Sequence, residues 1–148
     1  ANGDSIISDS YAVSVTVPGQ KVNKHPITNI NYRITDATKI DKNDRFWAIN
    51  YFFPRDKKDL KPSEDLLIKK YGQGPTHSLS ERVERLVEYK IKNDRIVLTN
   101  NPHIEIKLEG EKISRNWEAL ARYNNKGFLI ATDKYPKPNT ILAYISFD

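Results

Sequence analysis

Apolar and polar positions alternate with a period of two along most of the chain, the signature of strands with one covered face. YAVSVTV (11–17) alternates and stops at Pro18-Gly19. RFWAINYFF (45–53) is aromatic and β-branched, preceded by the turn cluster DKND and closed by Pro54. VEYKI (87–91) puts Val87, Tyr89 and Ile91 on one face; Asn93-Asp94 then turns the chain and RIVLT (95–99) returns, which predicts a hairpin. HIEIKLE (103–109) gathers Ile104, Ile106 and Leu108 on one face and charges on the other. GFLIATD (127–133) and TILAYISF (140–147) end the pattern, separated by the turn-rich KYPKPN. Two stretches break the period. PSEDLLIKKYG (62–72) predicts a short helix, with Ser63 as N-cap, acids in the first turn, lysines in the last and Gly72 just past the end. SLSERVERL (78–86) has the capping-box spacing Ser78 to Glu81, which predicts a helical turn before a strand beginning near Leu86.

The pattern also repeats. ITDATKIDKNDRFWAINYFFP (34–54) and NWEALARYNNKGFLIATDKYP (116–136) align without a gap over 21 positions at an offset of 82. Asp36 aligns with Glu118, Ala37 with Ala119, Asn43 with Asn125, Phe46 with Phe128, Phe53 with Tyr135 and Pro54 with Pro136. Two units of ~41 residues match the length of a four-stranded propeller blade. The expected fold is therefore all-β: antiparallel four-stranded blades of a partial β-propeller, about three blades by length, with one helical insertion. One domain spans 1–148, with the loop and helix insertion at 55–82. Closed propellers use about four to eight blades, so remaining blades or self-association are expected to cover what a short arc leaves open.

Composition narrows the chemistry. The chain has 148 residues, enough to bury roughly 70% of its unfolded surface. Its net charge of +5 divides evenly, 12 Lys/Arg against 9 Asp/Glu in residues 1–74 and 12 against 10 in the rest. The densest cluster, RDKKDLK (55–61), is interrupted by two aspartates, so no one-sided basic stripe points to nucleic acid. No apolar run approaches the ~20 residues of a membrane span, and the N-terminus lacks the charged and apolar regions of a signal peptide. The absence of Met, even at position 1, predicts a processed chain or a piece of a longer one. Zero cysteines exclude disulfides, thiolate metal sites and thiol nucleophiles.

Asn116, Trp117, Glu118 and Ala119, followed a turn later by Thr132 and Asp133, resemble the strand pairs of the esterase-like phytase and related secreted β-propellers. Blades of that family carry N-[FW]-E-[GA]-hydrophobic and then a hydrophobic run ending in [ST]-D; Ala119 stands where glycine is common. YGQGPTHSLSERVERL (71–86) is similar to the connecting stretch of bacterial members. The resemblance covers roughly 30–148 and implies a bacterial periplasmic or extracellular propeller, one option being the processed part of a lipoprotein. It further implies calcium or a phosphorylated or esterified ligand, with phytase-like or esterase-like hydrolysis in a central funnel.

Innermost propeller strands line the funnel, so Asp36 and Glu118 are the expected catalytic pair, able to hold calcium or to divide acid and base roles. The alternative is that each acid fixes blade packing, with Arg33 and Arg115 as partners. Arg115, Asp133, Lys134, Tyr135, His77 and Asn50 are the candidate ligand-binding residues, by charge or by position at strand ends. His25 and His103 each neighbour a proline and read as loop or strand-edge residues. DKNDRF (41–46) has the first ligand types of a calcium loop but Phe52 where the closing acid belongs, so it reads as a hairpin turn. No nucleophile elbow, zinc helix or phosphate loop is present. A non-catalytic ligand- or protein-binding propeller module remains the other functional reading.

Overall fold

β1 (Tyr11–Val15) and β2 (Val22–Pro26) form an antiparallel hairpin. β3 (Arg33–Ala37), β4 (Arg45–Phe52), β5 (Val83–Lys92) and β6 (Arg95–Leu98) then run as an antiparallel meander. β7 (Ile104–Glu105) pairs with Arg85 and Leu86 of β5, on the edge where β6 pairs with Tyr89–Lys92, so the two make one interrupted fourth strand. β8 (Trp117–Tyr123), β9 (Gly127–Thr132) and β10 (Leu142–Ser146) form a third antiparallel sheet. Among the described residues between β4 and β5 lie a 3-10 turn (Pro54–Asp56) and a helix, α1 (Leu66–Tyr71). This computed structural model describes residues 10–57, 64–74, 81–106, 115–134 and 139–147.

The middle sheet is covered on both faces. Toward the third sheet it presents Trp47, Ile49 and Tyr51 of β4 and Leu86 of β5, packed against Trp117, Leu120, Phe128 and Ile130. Trp47 meets Phe128 edge-on with ring centroids 5.5 Å apart, the arrangement the ring quadrupoles favour. Toward the N-terminal hairpin it presents Ala48, Val87, Tyr89 and Ile96, joined by Ile30 and by Leu67 from α1. Consequently every residue from Val83 to Tyr89 is buried, although VERLVEY carries three charged residues among the apolar ones.

Several local expectations shift. α1 begins at Leu66, and Asp65 is its N-cap: Oδ1 accepts from the N–H groups of Leu67 (3.0 Å) and Ile68 (3.2 Å). Asp65 wins because its carboxylate is also held by Arg85, a partner no local pattern reveals. Ser63 lies outside the described residues. The strand expected near Leu86 starts at Val83, because cross-strand pairing of Val83 with Phe52 outweighs a capping box. Ser78 of that box is outside the described residues. Only Ile104–Glu105 of HIEIKLE pairs as strand, and residues 107–109 are not among those described. The Asn93-Asp94 hairpin forms as expected, with both residues at positive φ (50° and 58°).

The two aligned stretches become β3–turn–β4 and β8–turn–β9. Their turns close on equivalent atoms: Asp44 N–H donates to Asp41 O and, 82 positions on, Lys126 N–H donates to Tyr123 O, each at 3.0–3.1 Å. Each hairpin also carries an irregularity at the same aligned place, between Ile34 and Ala37 and between Trp117 and Ala119. DKND is a hairpin turn in which Asp41 Oδ1 accepts from Asn43 N and Arg45 N. These two hydrogen bonds hold its carboxyl below the usual carboxylate range.

Candidate functional site

β3 and β8, the first strands of the two hairpins, lie side by side. Thr35 Oγ1 donates to Trp117 O at 2.7 Å, and Leu120 N–H donates to Asp36 Oδ2 at 2.7 Å. Asp36 is half-buried and thus ties one sheet to the next. Glu118 is exposed at the irregularity in β8. Calcium takes six to eight oxygens. Asp36 commits one oxygen to a backbone amide, and no group of three His, Cys, Asp or Glu converges among the described residues. No step is therefore assigned to calcium.

Arg115 pairs with Glu84, not Glu118. The Glu84 carboxylate is completely buried and accepts from Arg115 N (2.9 Å), Nε (3.2 Å) and Nη2 (3.1 Å), and from Trp117 Nε1 (2.7 Å). A carboxylate taken out of water needs such compensation on every lone pair. Its neighbour Arg85 points to the opposite face, donates from Nε to Asn50 Oδ1 (2.7 Å) and from Nη2 to Asp65 Oδ1 (3.2 Å), and forms an ion pair between Nη1 and Asp65 Oδ2 (2.9 Å). Asn50 is itself fully buried, donating from Nδ2 to Asn31 O and Arg33 O, so both ends of its amide are spent on the chain. Tyr32 lies under the Arg85 guanidinium, and burial plus the Asp65 charge push its hydroxyl up to about 12. These charges lock α1, β3 and β8 onto β5. Asp133 and Lys134 stand exposed after β9, Asp133 N–H donating to Asn116 O. His77 and Tyr135 lie outside the described residues.

Two recesses gather chemistry that the sequence pattern did not single out. One, of about 330 Å³, is lined by Tyr71, Gly72, Gln73, Gly74, Pro102, His103 and Glu105. Glu105 Oε1 accepts from Gly74 N at 2.8 Å, and a side chain at Gly74 would overlap that carboxylate. His103 is held edge-on against Tyr71, its Nε2 3.5 Å from Glu105 Oε1 and its Nδ1 without a hydrogen-bond partner. Burial, and then the nearby Arg85 charge, hold His103 below the usual imidazole range against an opposing pull from Glu105.

The other recess, about 290 Å³ and mainly apolar, lies between the N-terminal hairpin and the middle sheet, lined in part by Ala12, Ile40, Phe46 and Ile96. At its rim Ser14 Oγ is 2.7 Å from His25 Nε2, and His25 Nδ1 is 3.3 Å from Asp94 O. Strand alternation in YAVSVTV and VNKHP could have flagged this cross-strand pair, had the hairpin register been known. No family model, no curated protein and no solved structure matches the chain.

Proposed function

We propose that the chain is an arc of a β-propeller and functions as a non-catalytic binding module, seated in a larger ring through open faces at its two ends. The observation that carries this reading is the exposure of apolar strand faces on both outer sheets. Leu142 is 72% exposed and Val22 61%, alongside exposed Tyr144, Tyr123, Tyr11 and Val15. Contiguous apolar patches of this kind mark interaction surfaces. The propeller reading is supported by a four-stranded meander flanked, among the described residues, by sheets of two and three strands, and by the lateral ties from β3 to β8 at the blade offset. Glu118 and Asp36 remain the candidates for a funnel, with Asp133 and Lys134 near one end of the sheets. An extracytoplasmic setting follows from the resemblance of Asn116–Ala119 and Thr132–Asp133 to secreted propellers.

The test replaces Leu142 and Tyr144 together with glutamate and measures melting temperature, mass in solution and binding of a fluorescent dye specific for apolar surface. The native chain is expected to self-associate or to bind dye, and the double variant to lose both with its melting temperature unchanged. A large drop in melting temperature would instead place the two side chains in the core of the monomer and end this reading.

A second reading, esterase activity, is favoured by the Ser14–His25 pair. With Nδ1–H donated to the Asp94 carbonyl, Nε2 is left to take the Ser14 proton as the hydroxyl attacks an ester carbonyl. The adjoining apolar recess would take a short acyl chain. The pair is exposed, so water competes for the same hydrogen bonds, which ranks this reading second. Hydrolysis of a p-nitrophenyl acyl ester that disappears in Ser14→Ala is the expected result; equal rates in both proteins would dismiss it.

A further inference from the structure

We infer that the outward face of β8–β10 is the docking surface for a second copy of this chain, which covers it with the outward face of its β1–β2 hairpin. This rests on the propeller reading above and names the partner.

The cross-strand register fixes what the outward face contains. One row is Ala119–Ala131–Leu142 and the next is Ala121–Leu129–Tyr144. No charged side chain interrupts either row, and Tyr123 extends the surface by standing edge-on to Tyr144 at 6.1 Å. A strand that faced only water would alternate to polar residues here.

The internal repeat says what kind of surface belongs against these rows. At the offset of 82, Phe46 and Ala48 correspond to Phe128 and Ile130. Ala48, with Phe46 packed beside it, faces back toward the N-terminal hairpin, and Phe128 and Ile130 face back toward the middle sheet. Trp47 and Ile49 correspond to Leu129 and Ala131. Trp47 and Ile49 face forward and are covered by the next antiparallel sheet, whereas Leu129 and Ala131 are only half-buried, with no further sheet in front of them among the described residues. Position for position, the open face is the one that a further sheet covers in the first repeat.

The same chain carries the missing counterpart. The hairpin's inner side, through Ala12, packs toward the middle sheet, which leaves Tyr11, Val15 and Val22 exposed on the side facing backward out of the stack. Val15 pairs directly with Val22, and Lys24 lies over the Tyr11 ring at 4.3 Å. Glu118, exposed beside Ala119 at the rim of the other face, offers Lys24 an opposite charge. A forward-open face at one end and a backward-open face at the other is a head-to-tail arrangement, which either closes into a ring or grows into a filament. The described residues of one chain supply three sheets, so two copies supply six, inside the range of about four to eight at which propellers close. A closed two-copy ring follows, with both interfaces identical.

The chain lacks cysteine, so single introduced thiols report unambiguously. Leu142→Cys chains and Val22→Cys chains, one of them mass-tagged, are mixed and treated with a short bismaleimide, while light scattering gives the mass of the unmodified protein. The expected result is a mass twice 17.1 kDa and cross-links that join position 142 of one chain to position 22 of the other, with like-to-like links at least about tenfold rarer. Leu142→Glu should weaken the dimer by at least about tenfold, equivalent to ~1.4 kcal/mol. Links of 142 to 142 would overturn the head-to-tail geometry while leaving the end face as a binding surface. A monomer at every concentration, without cross-links, would overturn the second copy as partner. If that monomer binds the apolar-surface dye through Leu142 and Tyr144, the binding-module reading stands alone; if it does not, both fall.

Discussion

Hairpins 34–54 and 116–136 begin from nearly the same pattern and end in different surroundings. The first has both faces of β4 buried from Trp47 to Phe52, between the N-terminal hairpin and the third sheet. The second buries Phe128 and Ile130 but leaves Leu129 and Ala131 half-covered and most of β8 exposed. The turn geometry is shared, so the difference is not local propensity. It lies in whether a further sheet stands in front. The buried hairpin accordingly carries large residues forward (Trp47, Ile49), where the open one carries Leu129 and Ala131.

The largest effect expected from this contrast is at one aligned pair. Trp47→Ala should cost about 3–5 kcal/mol in the monomer, because it removes the ring that Phe128 packs on and leaves a cavity between two sheets. Leu129→Ala, its counterpart 82 positions on, should cost about 1 kcal/mol or less by the same denaturant titration, since its surroundings are partly water. At concentrations where the chain associates, the Leu129→Ala cost should rise. Equal costs in the monomer would mean that the forward face of the third sheet is already covered.

The strands and the repeat were legible because alternation and turn residues are local. RFWAINYFF, the Asn93-Asp94 turn and the DKND turn all form where the sequence puts them. What was not legible was which charged residues go inside. Glu84, Arg85 and Glu88 look like residues bound for water, yet β5, like β4, is covered on both faces, so Glu84 and Glu88 on one side and Arg85 on the other all go inside. Their partners come from 20 and 31 residues away for Arg85–Asp65 and Glu84–Arg115, distances over which sequence pattern carries no pairing information. For the same reason Asn50 read as a strand-end ligand group and is instead an interior clamp on Arg85. His103, read as a strand-edge residue because of Pro102, sits in a recess that α1 and its C-terminal loop complete.

A smaller effect separates the packing role of Asp36 from a catalytic one. Asp36→Ala leaves the Leu120 N–H without its acceptor, a loss of about 1–3 kcal/mol for a group shielded from water. Glu118→Ala, at the aligned but exposed position, should change stability by no more than about 0.5 kcal/mol. The two aligned acids would then differ as their hairpins do. A Glu118→Ala cost equal to that of Asp36→Ala would show that Glu118 holds a partner in solution.

The mildest expectation concerns pH, and it falls on the covered sheet alone. His103 borders β7, where burial and Arg85 favour the neutral ring over the pull of Glu105 and Asp65. Its folded pKa is below the usual 6.5, so between that lowered value and about 6.5 the unfolded chain binds more protons than the folded one. Stability therefore rises with pH through this window and is lost as pH falls below about 6.5, by at most ~1.4 kcal/mol per pH unit from this group. Melting temperature followed from pH 7 downward should fall, and His103→Gln should flatten the part of the curve just below about 6.5. A further loss at lower pH, near the ordinary carboxylate range, should survive that substitution, because it belongs to Asp41 and its two backbone hydrogen bonds. Identical slopes near 6.5 in the native chain and in His103→Gln would mean that the recess admits enough water to charge the ring, and that the middle sheet is less closed at β7 than at β4.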